Sequence, residues 1–423
     1  MTARKFVIFA LLLVSIGLRS EGYAQSQSGS VAFVRATVLD PSSEGTIDNA
    51  TVVVRHGEIV SVEIGGKAPD DAHIMDLDGR FLVPGLIDAH VHISNLSDAR
   101  RALLSGVTTA RSMGGSFFTD LGLRELFAHG AFTGPELLAA GYHVRPRPAE
   151  GLFLDEPGLA DLLETDIRGP TMLRRVARAM LDRNVDFIKV NATERAGLPE
   201  TDPRKPFFTE IELAALVDEA GSYGVPVAAH AHGDVGGRAA VMAGVKSIEH
   251  GTYLREETLR LMLEQHTYLV PTIAVVSDLT LPGGDYDNPV LQVRGKHMLT
   301  RIRETAALAH SLGVPIVAAT DTGYGPESVL RMSHELIELV DIGLSELDAI
   351  RAATTVAAEL LGVAGRIGRI NPGFEADLLV LERSPLNDIG SYQDVLVVMS
   401  DGQVVVDRLE FRASEIMKEE RVP

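Results

Sequence analysis

Apolar positions along this chain follow two rhythms. Near the start, 31–38, 50–54 and 58–64 are short β-branched runs parted by turn residues such as His56-Gly57, which predicts strands. The same texture returns at 376–381, 395–399 and 403–406, with Asp401-Gly402 as a hairpin turn. Two β-rich ends around one long middle predict that the ends pair into a single small β-sandwich lobe.

In the middle, apolar runs alternate with stretches of helical period. Eight strands are expected, ending near His92, Arg111, Gly141, Val190, His230, Glu249, Thr272 and Thr320. Helices are expected at 172–184, at 209–223 behind a Thr209/Glu212 capping box, at 327–340 and at 347–361. Eight strands alternating with helices predict an α/β fold, a (β/α)8 TIM barrel. No glycine-rich phosphate fingerprint follows a strand, which leaves an open doubly wound sheet without support. The expected division is a leader at 1–24, lobe at 25–84, barrel at 85–362 and lobe again at 363–423.

The first residues change the picture of where the protein works. Arg4 and Lys5 precede an apolar run at 6–18, and Gly22-Tyr23-Ala24 offers small residues for cleavage before Gln25. The run is shorter than the roughly 20 residues that span a bilayer. A signal peptide is therefore expected, with an exported, periplasmic or secreted product and no membrane span after cleavage. Loss of 1–24 removes Arg4, Lys5, Arg19 and Glu21, a net of +2, and takes the formal charge from −19 to −19 − 2 = −21. Such an acidic chain disfavours nucleic acid as a partner. The expected partners are a small-molecule substrate and further copies of the chain in a homo-oligomer. With no cysteine present, disulfides, thiol nucleophiles and Cys-based zinc sites are excluded.

Chemistry-bearing residues collect at the ends of the expected strands, where a barrel opens its active site. His90-Val91-His92 places two imidazoles on one side of strand one. Lys189 ends strand four. An ammonium cannot ligate a metal, but a buried neutral lysine can add carbon dioxide, and the carbamate can bridge two ions. His230-Ala231-His232 follows strand five; His230 is assigned to metal, and His232, taken to lie further out, to substrate or to support. His250 follows strand six. Asp321 ends strand eight, where it can ligate metal and accept a proton from water. His143, after strand three, and Tyr253, just past His250, are candidate substrate-binding residues. The other histidines (56, 73, 129, 266, 297, 310 and 334) match no motif and read as structural or surface residues. Taken singly each site residue has an ordinary structural explanation; their order along successive strands argues for one metal site.

This pattern resembles the amidohydrolase superfamily over nearly the whole chain after the leader. "FLVPGLIDAHVHI" is similar to its strand-one signature, and "GRINPGFEADLLVLERSPL" to its return into the β lobe. "AAHAHG", "SIEHGT" and "AATDTG" are similar to its strand five, six and eight motifs. The nearest likeness is to the imidazolonepropionase-like group that includes metal-dependent Xaa-Pro and Xaa-Arg dipeptidases. "FIKV" puts Lys189 where dipeptidase-type members carry a carboxylated lysine. The resemblance implies two divalent ions, zinc by expectation. His90, His92, N6-carboxylated Lys189 and Asp321 would hold one, and Lys189, His230 and His250 the other. It further implies cleavage of an amide bond in a dipeptide or N-acyl amino acid, with Asp321 as proton acceptor. Basic residues in the loops after strands three and four (Arg145, Arg147, Arg168, Arg195, Arg204, Lys205) are candidates for a substrate carboxylate. A lactonase or esterase, or a barrel that binds metal without catalysis, stays open at this point.

Overall fold

The computed structural model describes residues 29–409; the expected leader lies outside them. The central question for function is which strand ends meet. Parallel strands Leu86–Val91, Val107–Ser112 and Glu136–Ala139 pair in that order. A second set, Ile188–Asn191, Val227–Gly233, Ser247–Tyr253 and Tyr268–Val270, pairs likewise. Single parallel bridges join the sets: Val144 with Val190, Leu269 with Ile316, and Val91 with Thr322. Segment 316–322 thus stands as the eighth stave, and the ring closes. Every residue from Leu86 to Val91 and from Val227 to Gly233 is buried. That is the signature of strands covered on both faces.

The eighth stave is held by more than bridges. Ala318 N donates to Ala352 O at 2.9 Å, and Ile87 N to Ala353 O at 2.8 Å. This explains a departure from the sequence pattern. The periodic stretch 347–361 is not one helix but two, Glu346–Ala352 and Thr355–Leu361. The break frees the carbonyls of Ala352 and Ala353 to accept from the barrel. Elsewhere the expected helices stand: Pro170–Leu181, Met332–Asp341, and Glu210–Gly221 behind the Thr209/Glu212 capping box.

The chain ends do share one lobe. Its eight strands form a continuous hydrogen-bonded sheet in which Phe81–Pro84 pairs antiparallel with Leu378–Leu381, tying the two ends together. Its own core includes Phe33, Val52, Leu82, Leu378 and Val397. Asp401 and Gly402, both at positive φ (51° and 71°), form the tight turn between Val395–Ser400 and Gln403–Asp407. No helix among the described residues is long and apolar enough to cross a membrane.

Candidate active site

The strand ends bring the expected residues together. His90, His92, His143, Lys189, His230, His232, His250 and Asp321 all line one cleft of about 520 Å³ at the barrel mouth. Two donor groups can be distinguished. His90, His92 and Asp321 present ligand atoms within 4.8 Å of one another, and so do His230, His232 and His250. Asp321 Oδ1 lies 3.3 Å from His90 Nε2 and 3.1 Å from His92 Nε2.

Four of the imidazoles are aimed by a bond to one ring nitrogen. His90 Nδ1 meets Glu249 Oε2 at 2.8 Å, and His250 Nδ1 meets Thr272 Oγ1 at 2.7 Å. His232 Nδ1 meets Thr252 Oγ1 at 2.8 Å, while His230 uses Nε2, 3.2 Å from Glu194 O. Such bonds fix the ring and its tautomer and leave the other nitrogen free for a metal. Glu249 is itself held by Arg111 Nη2 at 3.0 Å and Ser247 Oγ at 2.5 Å. Burial alone would raise the Glu249 carboxyl, but Arg111 and His90 overrule it and bring it to about 2. It is a fixed anion at the back of the site.

The backbone is strained at the same places. His250, Thr272 and Asp321 hold φ of 73°, 52° and 54°. Side-chain-bearing residues adopt such angles at a cost of about 1–3 kcal/mol each, and they concentrate at functional sites. Gly114 serves His143 in a related way. Its φ is 121°, and a Cβ there would stand 2.4 Å from His143 Cδ2.

Lys189 is 1% exposed and its Nζ is buried with no hydrogen-bond partner. Burial is the main cause that lowers its pKa, to about 8. An unpartnered buried ammonium is costly, so the position calls for a further group. Burial, then neighbouring positive groups, hold the His143 and His230 imidazoles well below the usual range too. Five imidazoles around one carboxylate are a donor set of nitrogen and oxygen that fits divalent metal.

Two expectations look different in space. His232 does not lie further out than His230: it is 3% exposed against 7%, and its ring stacks on His250 at 4.5 Å. Tyr253 stands apart from the cleft lining and stacks on His297, with centroids 6.0 Å apart. The basic loops also sort themselves. Arg147 pairs with Asp166, Arg204 with Asp202 and Lys205 with Glu194, and Arg168 lies over the Phe208 ring. Arg145 and Arg195 make no such pair with a described residue. Both line a chamber of about 570 Å³ that shares His92 and His143 with the main cleft.

Sequence reasoning missed the supports. Asp88, wholly buried, accepts from Thr320 N at 3.0 Å, Thr320 Oγ1 at 2.6 Å and Tyr324 Oη at 2.9 Å, and so ties the first strand to the eighth. Its position two residues before His90 was the available signal, since both side chains then share one face. Tyr286, from the loop after strand seven, also lines the cleft.

Fold and donor set together define a metal-dependent barrel hydrolase. The chain belongs to the Amidohydrolase family, which matches residues 81–405. It is accordingly a hydrolase of C–N bonds acting on small molecules. Ochratoxinase of Aspergillus niger is 25% identical to it over 88% of this chain and 85% of that protein. Imidazolonepropionase of Paracoccus denitrificans is 27% identical over 79% and 88% respectively. A crystal structure of a Xaa-Pro dipeptidase with bound methionine in the active site superposes with a TM-score of 0.80 at 26% identity, covering 89% of this chain and 100% of that one.

Proposed function

We propose that this protein hydrolyses an amide or peptide bond in a small carboxylate-bearing substrate, a dipeptide or an N-acyl amino acid, at a site for two divalent ions. The observation that carries the two-ion reading is Lys189, buried without a partner in the cleft that holds both donor groups. Its neutral amine can add carbon dioxide, forming an N–C bond and releasing one proton. The carbamate then offers two oxygens. His90, His92 and Asp321 would hold one ion, His230 and His250 the other, and carboxylated Lys189 both, with zinc expected from the donor set. Bound ions supply Lewis acidity and a nucleophile at neutral pH.

The chain's own residues do the rest. Asp321 accepts the proton of the attacking water and returns it to the leaving nitrogen. His143, kept neutral by burial, donates a hydrogen bond towards the substrate carbonyl, and Gly114 leaves room for its ring. His232 lines the same cleft and steadies the substrate there. Arg145 and Arg195, unneutralised at the edge of the cleft, take the carboxylate. The neighbour that holds methionine in its active site supports an amino-acid-sized substrate.

The test is a panel of dipeptides, N-acyl amino acids, their carboxyl-amidated counterparts and lactones, offered to the metal-loaded enzyme. Free-carboxylate amides should be preferred over blocked ones by roughly tenfold or more in kcat/KM, the worth of a charged hydrogen bond. A preference for lactones or for blocked compounds would contradict the reading.

A further inference from the structure

Another cavity, of about 660 Å³, opens where barrel and lobe meet, and it shares no residue with the histidine cleft. Arg101 reaches it from helix Leu96–Leu104, Arg331 and Ser333 from the start of helix Met332–Asp341, Tyr392 from the turn Ile389–Gln393, and Arg408 from beyond the last lobe strand. No carboxylate lines it, in a chain of formal charge −19.

Two of the three guanidinium groups are fixed without a carboxylate partner. Arg331 Nη1 donates to Ser328 O at 3.0 Å and Leu330 O at 2.5 Å. Arg408 Nη1 donates to Val395 O at 2.6 Å. Neither arginine has a carboxylate partner among the described residues. Arg101 is paired with Asp98, and its Nε donates to Tyr324 O at 2.6 Å. Tyr392, 2% exposed, has a buried hydroxyl with no partner. The amino end of a ten-residue helix adds its positive pole. Main-chain carbonyls hold Arg331 and Arg408 in place, so the charge and remaining N–H donors of these two stay available to a ligand.

We propose that this cavity binds a small oxyanion of the phosphate type, held by Arg331 and Arg408 with Arg101 behind them. Its occupant would bridge barrel and lobe. The same arginines support the active site at one remove. Arg101 holds the Tyr324 carbonyl, Arg331 lies over the Tyr324 ring at 5.7 Å, and the Tyr324 hydroxyl donates to Asp88.

The test is thermal unfolding of the metal-loaded enzyme in sodium phosphate against sodium chloride of equal ionic strength and pH. Phosphate should raise the midpoint by about 2 °C or more. Arg331→Gln and Arg408→Gln, each folded in chloride, should lose at least half of that rise. Arg408 is exposed, so its variant decides the matter should Arg331→Gln unfold. A rise undiminished in both variants would put the anion elsewhere, the histidine cleft included, and overturn the proposal. No rise in the unmodified enzyme would overturn it as well.

Discussion

Asp321 meets two demands at one position. It must face the His90 and His92 rings, and it must stay ionised though half-buried; those rings hold its carboxyl well below the usual range against the effect of desolvation. Asp321→Asn keeps the shape and removes the proton acceptor. Turnover on the best amide of the panel should fall by about 10²–10⁴-fold, with the far-ultraviolet circular dichroism unchanged. Near-normal turnover would remove Asp321 from its role. A second buried carboxyl gives a pH effect. Burial pushes Glu335 up from 4.5 to about 8, though Ala274 N donates to its Oε2 at 2.7 Å. The unfolded carboxyl loses its proton near its ordinary value, while the folded one keeps it to about 8. The folded state therefore binds more protons between those values, and stability falls as pH rises through that window. Glu335→Gln should remove this slope: its melting temperature should gain on the unmodified protein at pH 8.5 relative to pH 5. Parallel curves for the two would contradict the assignment.

At the scale of elements, most of the site was legible because a strand end is a fixed address. An HxH pair or a lysine ending an apolar run carries its direction in the period of two, as His90, His92 and Lys189 do. What packs behind was less legible. Glu249 and Arg111 read as ordinary polar residues until the barrel closes and sets the one against the other. The helix break at 353–354 was also hidden, since the need for free carbonyls arises from the eighth stave, far away in sequence. Loop residues were least legible. Tyr253, the last residue of its strand, turns to His297, and three of the six basic loop residues make no ion pair among the described residues. Gly114 tests the link between loop backbone and site. Gly114→Ala sets a Cβ against His143 and strains a φ of 121°. The expected result is a loss of turnover of at least about tenfold for about 1–3 kcal/mol of stability. Retained turnover at unchanged stability would mean that His143 does not need its place.

At the scale of the whole molecule, the barrel's closure carries the account. The first and eighth staves meet through Val91 and Thr322 and through Asp88, and that seam sets His90 and His92 against Asp321. The second donor group comes from staves five and six on its own sheet. In the cleft that holds both groups, Lys189 is a buried side chain whose amine has no hydrogen-bond partner, and the proposed carbamate would form on it. The pairing of the two chain ends in one lobe was readable from their shared β texture; the basic cavity between lobe and barrel was not, because its arginines come from distant stretches of chain. The most direct measurement is the metal content per chain of the active enzyme and of Lys189→Ala, by elemental analysis of the purified proteins. The account predicts two divalent ions per chain, falling to one or fewer in the variant while the fold is kept. A single ion in the fully active enzyme, or two retained in Lys189→Ala, would contradict it.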